Sequence, residues 1–322
     1  MTKYRFSCTI IMGEDGDPTL LHGIFRIIFY LGNKMNRTIL TSTGTMVSRT
    51  NGYDYKRALR EAASICTDGL SSGIELMMLT FYYDKYENVV SEIKANGLAA
   101  PVIHCEKEIG TMLSDAGHSA ADGNTVDEAA LRTNALELFR LNCKIGSMAG
   151  SCRMVLHLWG GVNSDGYLDY NISILRQLHD IAAEYGIRLL IENIPSVVND
   201  PHSNWAKILD SDALADAGFI FDTRFGKLHE QSKAILTDSR ITPHIEHVHI
   251  SDFGGTYRDF KALRPILHPG EGNVDFSEIA RLLDSLNYRN TITLESPVAL
   301  ENDMDIPKLR RTLDYLNKIF HI

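Results

Sequence analysis

The stretch His247-Val248-His249-Ile250-Ser251-Asp252 decides the reading of this 322-residue chain. Ile245, Val248 and Ile250 are β-branched, which favours a strand, and His247 and His249 stand two residues apart, so they share one strand face. A buried histidine needs a hydrogen bond or a metal for its ring nitrogens. The polar pair Ser251-Asp252 leads into Phe253-Gly254-Gly255, and a second Gly-rich turn follows at His268-Pro269-Gly270-Glu271-Gly272. Active sites on parallel barrels are built this way, with functional groups at the C-terminal end of a strand and a loop beyond.

Working outward, apolar runs predict further strands over residues 37–42, 73–79, 101–104, 153–158, 187–192, 218–222 and 291–295. Helical patterns lie between and after them, over 54–63, 84–96, 125–141, 168–185, 203–214, 227–237, 276–286 and 306–319. Residues 105–124, with Gly110, Gly117 and Gly123, read as a long loop able to cover a site, and Thr125-Val126-Asp127-Glu128 as a capping box. Eight strands alternating with eight helices in about 290 residues predict a single (β/α)8 TIM barrel. A doubly wound sheet is the alternative, but its Gly-rich nucleotide loop after the first strand is missing. Residues 1–34 carry an apolar run, 20–31, too short and interrupted to span a bilayer and followed by no small-residue cleavage site. They read as an N-terminal extension, with the barrel domain over 35–322.

Composition narrows the function. The chain is 44% hydrophobic and 23% charged with a formal net charge of −9, which disfavours nucleic acid as a partner because that affinity rests on Lys and Arg. Five cysteines without a C-x-x-C pair read as reduced thiols in a cytoplasmic protein with no membrane attachment. Barrels of this kind commonly associate through their helices, so a homo-oligomer is open.

On this register, strands three to eight carry His104, His157, Glu192, Asp222, His249 and Glu295 at their C-terminal ends. Singly, each reads most simply as a cap or a salt-bridge partner; together they are a set of ligand-type side chains. Glu192, Asp222, His249 and Glu295 form an oxygen-rich ligand set for one divalent ion such as Mn²⁺, Co²⁺, Mg²⁺ or Zn²⁺. His104 and His157 are expected across the mouth, with room for a small substrate between them and the ion. Trp159 and Phe225 are candidate apolar walls, and Arg264 and His268, near the second Gly-rich turn, are further candidate substrate contacts. His247 reads as structural, Glu75 as a substrate contact or a buried charge in the barrel, and His229 as a surface residue.

Six segments carry a family resemblance: VLHLWGG (155–161), LLIENIPS (189–196), FIFDTRFG (219–226), HVHISDFGG (247–255), HPGEGNVDF (268–276) and ITLESP (292–297). In this order the chain, from about Met35 to its end, resembles the sugar phosphate isomerase/epimerase group of the xylose isomerase-like barrels. The resemblance implies metal ligands at the same four residues and acid/base roles for Glu192 and Glu295. Endonuclease IV-like repair enzymes share the superfamily, but their trinuclear zinc site needs an Asp-x-x-His on strand six, where this chain has Asp222-Thr223-Arg224-Phe225. It also needs an Asp-x-His where Arg264 and Ile266 stand.

The expected activity is isomerisation or epimerisation of a small keto sugar, sugar phosphate or polyol ketone, by proton abstraction α to a metal-polarised carbonyl. The alternatives are a metal-dependent dehydratase of a cyclic ketone such as an inosose, using the same ligands, and a non-catalytic metal-binding protein. The turn at 270–273 and Ser296 lie where barrels often bind phosphate, but Glu271 would repel it and only Arg264 adjoins, which favours an unphosphorylated substrate.

Overall fold

A computed structural model describes residues 37–211 and 216–322. The expected extension over 1–34 lies outside the described residues. Eight parallel strands close into a barrel in sequence order: β1 (Thr38–Ser42), β2 (Ile74–Met77), β3 (Val102–His104), β4 (Arg153–Leu156), β5 (Arg188–Glu192), β6 (Gly218–Asp222), β7 (Ile245–Ile250) and β8 (Thr291–Leu294). Closure comes from β1 pairing with β8, Thr38 opposite Thr291 through Thr41 opposite Leu294.

Helices follow each strand: α1 (Tyr55–Thr67), α2 (Tyr86–Ala95), α3 (Glu108–Ala121), α4 (Thr125–Ala149), α5 (Leu168–Glu184), α6 (Pro201–Asp210), α7 (Thr223–Leu228), α8 (Ser232–Thr237), α9 (Phe276–Ser285) and α10 (Ile306–Ile319). Asp54, Asp275 and Asp305 start α1, α9 and α10 by accepting main-chain N–H bonds at their side chains, which satisfies donors that a helix start leaves open. None of the helices among the described residues is long and apolar enough to cross a membrane.

The expected loop over 105–124 is instead largely the helix α3. Its glycines pack closely. A Cβ on Gly110 would stand 2.4 Å from the His157 carbonyl oxygen, so the absent side chain lets α3 press against the end of β4. Asn124, not Thr125, caps α4 by accepting from Asp127 N. The single helix expected over 227–237 is two short ones, α7 and α8, and α7 begins directly at Asp222.

Strand alternation sorts the core into two parts. Leu189 and Ile191 of β5 point outward into the large cluster between strands and helices, while Leu190 joins Leu40, Val102, Val155 and Ile220 in a small apolar cluster inside the barrel. These five residues form the floor under the mouth.

Candidate metal centre

The period of two carries straight from that floor to the chemistry. Two residues beyond Val102, Val155, Leu190 and Ile220 stand His104, His157, Glu192 and Asp222, so each points inward one layer higher. On β7, His249 stands above His247, and past β8 Glu295 stands above Thr293. One ligand atom from each of Glu192, Asp222, His249 and Glu295 lies within 4.8 Å of the others. The first three are buried and Glu295 is 10% exposed, at the edge of a cavity.

Beneath them the other half of the barrel interior is polar and hydrogen-bonded. Glu75 Oε2 on β2 lies 2.9 Å from His247 Nε2 and 3.1 Å from His249 Nε2. His247 Nδ1 lies 2.6 Å from Thr291 Oγ1, and its Nε2 lies 3.0 Å from Thr293 Oγ1. Glu75 thus accepts from His249 Nε2–H, which turns His249 Nδ1 toward Glu192 Oε1 at 2.8 Å and Glu295 Oε2 at 3.5 Å. A carboxylate holding one ring nitrogen while the other faces a ligand site is the usual support of a metal-binding histidine. Burial alone would push the His249 imidazole toward neutrality, but the charges of Glu295, Glu75 and Glu192 outweigh it and hold its pKa well above the ordinary value. Burial likewise pushes Glu192 up, yet His249 and His157 together hold it well below the usual carboxylate range.

Asp222 is the strained member. Its Oδ1 accepts the Phe225 N–H that opens α7, at 2.8 Å, while Oδ2 is buried without a hydrogen-bond partner. Burial, followed by the charges of Glu192 and Glu295 against the opposing pull of Arg224, raises its pKa to about 7. Glu192 Oε2, His104 Nε2 and His157 Nε2 are also buried without hydrogen bonds. His157 Nε2 approaches Glu192 Oε2 to 2.6 Å without hydrogen-bond geometry. Stranding a buried charge costs several kcal/mol. Several unpartnered carboxylate and imidazole lone pairs in one place fit a divalent cation of the borderline class, which accepts both oxygen and nitrogen.

The remaining expected site residues divide. His104 and His157 do not sit across the mouth; they touch the cluster, with His104 Nε2 3.8 Å from Glu192 Oε2 and its ring 5.8 Å from that of His249. The His104 Nδ1–H donates to Cys105 O at 2.7 Å, which leaves Nε2 as the inward lone pair. Burial, then the nearby Lys107 and His157 charges, bring its pKa down to about 3, so it is a neutral base. His104, His157 and Glu192 form a second ligand-capable group. Arg264 lines the cavity. Phe225 is nearly buried under the Arg224 guanidinium, 4.5 Å from its ring centre. Trp159 is fully buried and donates to Pro195 O, so it packs beneath the loops.

His268 stands elsewhere, its ring nitrogens 2.9 Å from Thr312 Oγ1 and 3.0 Å from Pro297 O, where it ties its loop to α10. His229, expected at the surface, is 3% exposed and accepts the Ser196 N–H at Nε2. Two residues carry more than the sequence reading assigned them. Glu75 anchors both strand-seven histidines, and an inward carboxylate amid the apolar run 73–79 was its signal. Arg224 has no role in the sequence reading, where it is only an unspecified position between Asp222 and Phe225.

The Gly-rich turn folds around a carboxylate of its own chain. Its main-chain N–H groups converge on Asp252: Gly270 and Gly272 donate to Oδ2, and Val274 and Phe253 to Oδ1, at 2.8–2.9 Å. Only glycine fits at 272, where a Cβ would stand 2.6 Å from that carboxylate. Glu271 is paired with Lys308 at 2.8 Å.

Comparison with known proteins agrees with this architecture. Solved structures similar to this one include a D-allulose 3-epimerase from Methylomonas sp. (16% identity, 90% of this chain and 100% of that chain, TM-score 0.63). A 3-keto-D-glucoside 4-epimerase from E. coli shares 18% identity over 88% of this chain and 100% of that chain, with a TM-score of 0.61. An L-ribulose 3-epimerase shares 17% over 89% and 87%, with a TM-score of 0.57. At these identities the likeness concerns the fold. An uncharacterised protein of Methanocaldococcus jannaschii is 30% identical over 144 residues, 43% of this chain, and the match spans 46% of that relative's length. The family model described as xylose isomerase-like TIM barrel matches residues 67–319, and the chain belongs to that family.

Proposed function

We propose that this chain is a divalent-metal-dependent isomerase or epimerase of a small keto sugar or sugar derivative, working in the cytoplasm. The observation that carries the reading is the convergence of Glu192, Asp222, His249 and Glu295 beside a cavity of about 290 Å³, with buried carboxylate and imidazole atoms left unpartnered. The sugar epimerases among the similar structures support it.

Asp222, through Oδ2, and His249, through Nδ1, would hold the ion with one oxygen each of Glu192 and Glu295. When bound, the ion supplies Lewis-acid stabilisation of the negative charge that develops on the substrate carbonyl oxygen. Glu75 keeps the His249 ring in its ligating orientation. Glu192, on β5 and held ionised by His249 and His157, takes the proton from the carbon α to the carbonyl; the C–H electron pair becomes the C=C bond and the carbonyl π pair moves to oxygen. Glu295, on the other side of the cluster at the cavity edge, enters carrying a proton and gives it to the opposite face of that carbon as the oxygen pair re-forms the carbonyl, which inverts the centre; proton exchange with solvent resets both carboxyls. A single carboxylate returning the proton to the neighbouring carbon gives isomerisation instead. The fully buried floor of Leu40, Val102, Val155, Leu190 and Ile220 keeps water from reaching the site from below.

Exchange of the α-hydrogen for deuterium in D₂O, followed by proton NMR over a panel of keto sugars with metal-loaded protein, tests the reading. Glu192→Gln and Glu295→Gln are each expected to slow exchange about 10²–10⁴-fold, the usual worth of a positioned acid or base. Loss of water from a cyclic ketone, with no change of configuration in any keto sugar, contradicts it and points to a dehydratase.

A further inference from the structure

We propose that the substrate taken here carries an oxyanion, a phosphate ester or a carboxylate, gripped at the cavity mouth by Arg224 and Arg264 with Lys107 beside them. This rests on the isomerase reading above and specifies its substrate class. The cavity that reaches His104 and Glu295 is lined by all three cations.

Arg224 is the decisive one. It is 6% exposed, yet no carboxylate among the described residues comes within 4.0 Å of its guanidinium, and its Nε has no hydrogen-bond partner. Among the described residues its one side-chain hydrogen bond is from Nη1 to Leu263 O, at 3.4 Å. Its central carbon lies over the Phe225 ring, 4.5 Å from the ring centre, a contact that uses none of the N–H donors of the fork. A buried guanidinium with idle donors is unfavourable unless an anion meets it, and the flat fork matches the two oxygens of a phosphate or carboxylate.

The bond to Leu263 also places Arg264, the next residue, on the same mouth. Arg264 and Lys107 are exposed and make no ion pair among the described residues. Two opposing charges also line the cavity: Glu295, which belongs to the ligand group, and Glu106, which accepts from Thr80 Oγ1 and from Lys107 N, both at 2.9 Å.

Charge balance for the metal ligands is the competing account of Arg224, whose field does lower the pKa of Asp222. That account asks for no second and third cation at the opening and leaves the fork idle. The backbone N–H groups of the turn after β7 are not available for the anion, being spent on Asp252. Recognition therefore falls to side chains.

The test uses the metal-loaded full chain and compares D-fructose 6-phosphate, D-fructuronate, D-fructose and inorganic phosphate by calorimetry, with deuterium exchange of the three sugars in parallel. One anionic sugar is expected to bind at least about tenfold tighter than fructose, and Arg264→Ala or Arg224→Gln to cut that preference about tenfold or more, the worth of one charge-assisted contact. Arg224→Lys should restore part of it. Preference for the phosphate ester identifies a phosphate, and preference for fructuronate a carboxylate. Arg264 is exposed, so its variant reports on binding even where an Arg224 variant fails to fold. An anion preference that survives both substitutions, or tighter binding of fructose than of either anionic sugar, overturns the proposal while leaving the isomerase reading intact. Arginine-dependent binding of inorganic phosphate with no α-hydrogen exchange in any sugar sustains the anion site and sinks the isomerase reading. Absence of both phosphate binding and exchange contradicts the two together.

Discussion

Two aspartates at the mouth ends of neighbouring strands, both buried, are treated in opposite ways by the chain around them. Asp252, just past β7, is ringed by four main-chain N–H donors, two on each oxygen. Asp222, the last residue of β6, receives one N–H on Oδ1 and nothing on Oδ2. The first carboxylate is fully satisfied by the protein and organises a loop. The second is costly as it stands, because burial and like charges act against its ionised form, and it becomes favourable only when a cation shares the space. The difference separates a structural acid from a ligand.

The sharpest break of that contrast is Asp252→Ala. Four N–H groups would lose a charged acceptor at once, and the loss of folding stability is expected to be about 3–5 kcal/mol by urea denaturation. Asp222→Ala in metal-free protein should change stability by less than about 1 kcal/mol, since it removes repulsion along with one helix cap. Equal costs for the two would dissolve the distinction.

A smaller effect is expected from Glu75→Gln, which keeps the shape but weakens the hold on His249 Nε2–H. Metal affinity, measured by competition with a chelator, should fall about 10–100-fold while the barrel stays folded. An unchanged affinity would make Glu75 a partner of His247 alone.

Smaller still is His157→Ala. If the ring contacts only substrate, kcat/KM should drop by the worth of one hydrogen bond, about 0.5–1.5 kcal/mol, with metal retained. Loss of metal in this variant would show that His104, His157 and Glu192 hold an ion of their own.

The barrel was legible because its signals are local and repeated. Apolar runs of strand length, each followed by a helix pattern, need no tertiary information, and the period of two carried the inward positions from Val102 to His104 and from Leu190 to Glu192. What the sequence hid depends on packing across the barrel. Gly110 looked like a loop residue, but its bareness serves the contact of α3 with the end of β4. The HPGEGN turn stands where barrels often bind phosphate and its Glu271 argued against one, yet nothing in its own residues says that Asp252, eighteen positions before Gly270, fills it. His229 could not be known as buried before α6 and α7 were placed against the loop at Ser196. Arg224 drew no notice because an arginine two residues past a strand is ordinarily solvated; its burial comes from Phe225 and the segment ending at Leu263.

Metal content tests the central claim most directly. Wild-type protein and the Asp222→Ala, His249→Ala and Asp252→Asn variants, loaded with Mn²⁺ and dialysed, would be compared by elemental analysis, with circular dichroism to confirm the fold. The account predicts about one tightly held ion per wild-type chain, most of it lost from the Asp222 and His249 variants and retained in whatever Asp252→Asn protein is folded. Full metal in folded Asp222→Ala and His249→Ala, or none in the wild type, would contradict it.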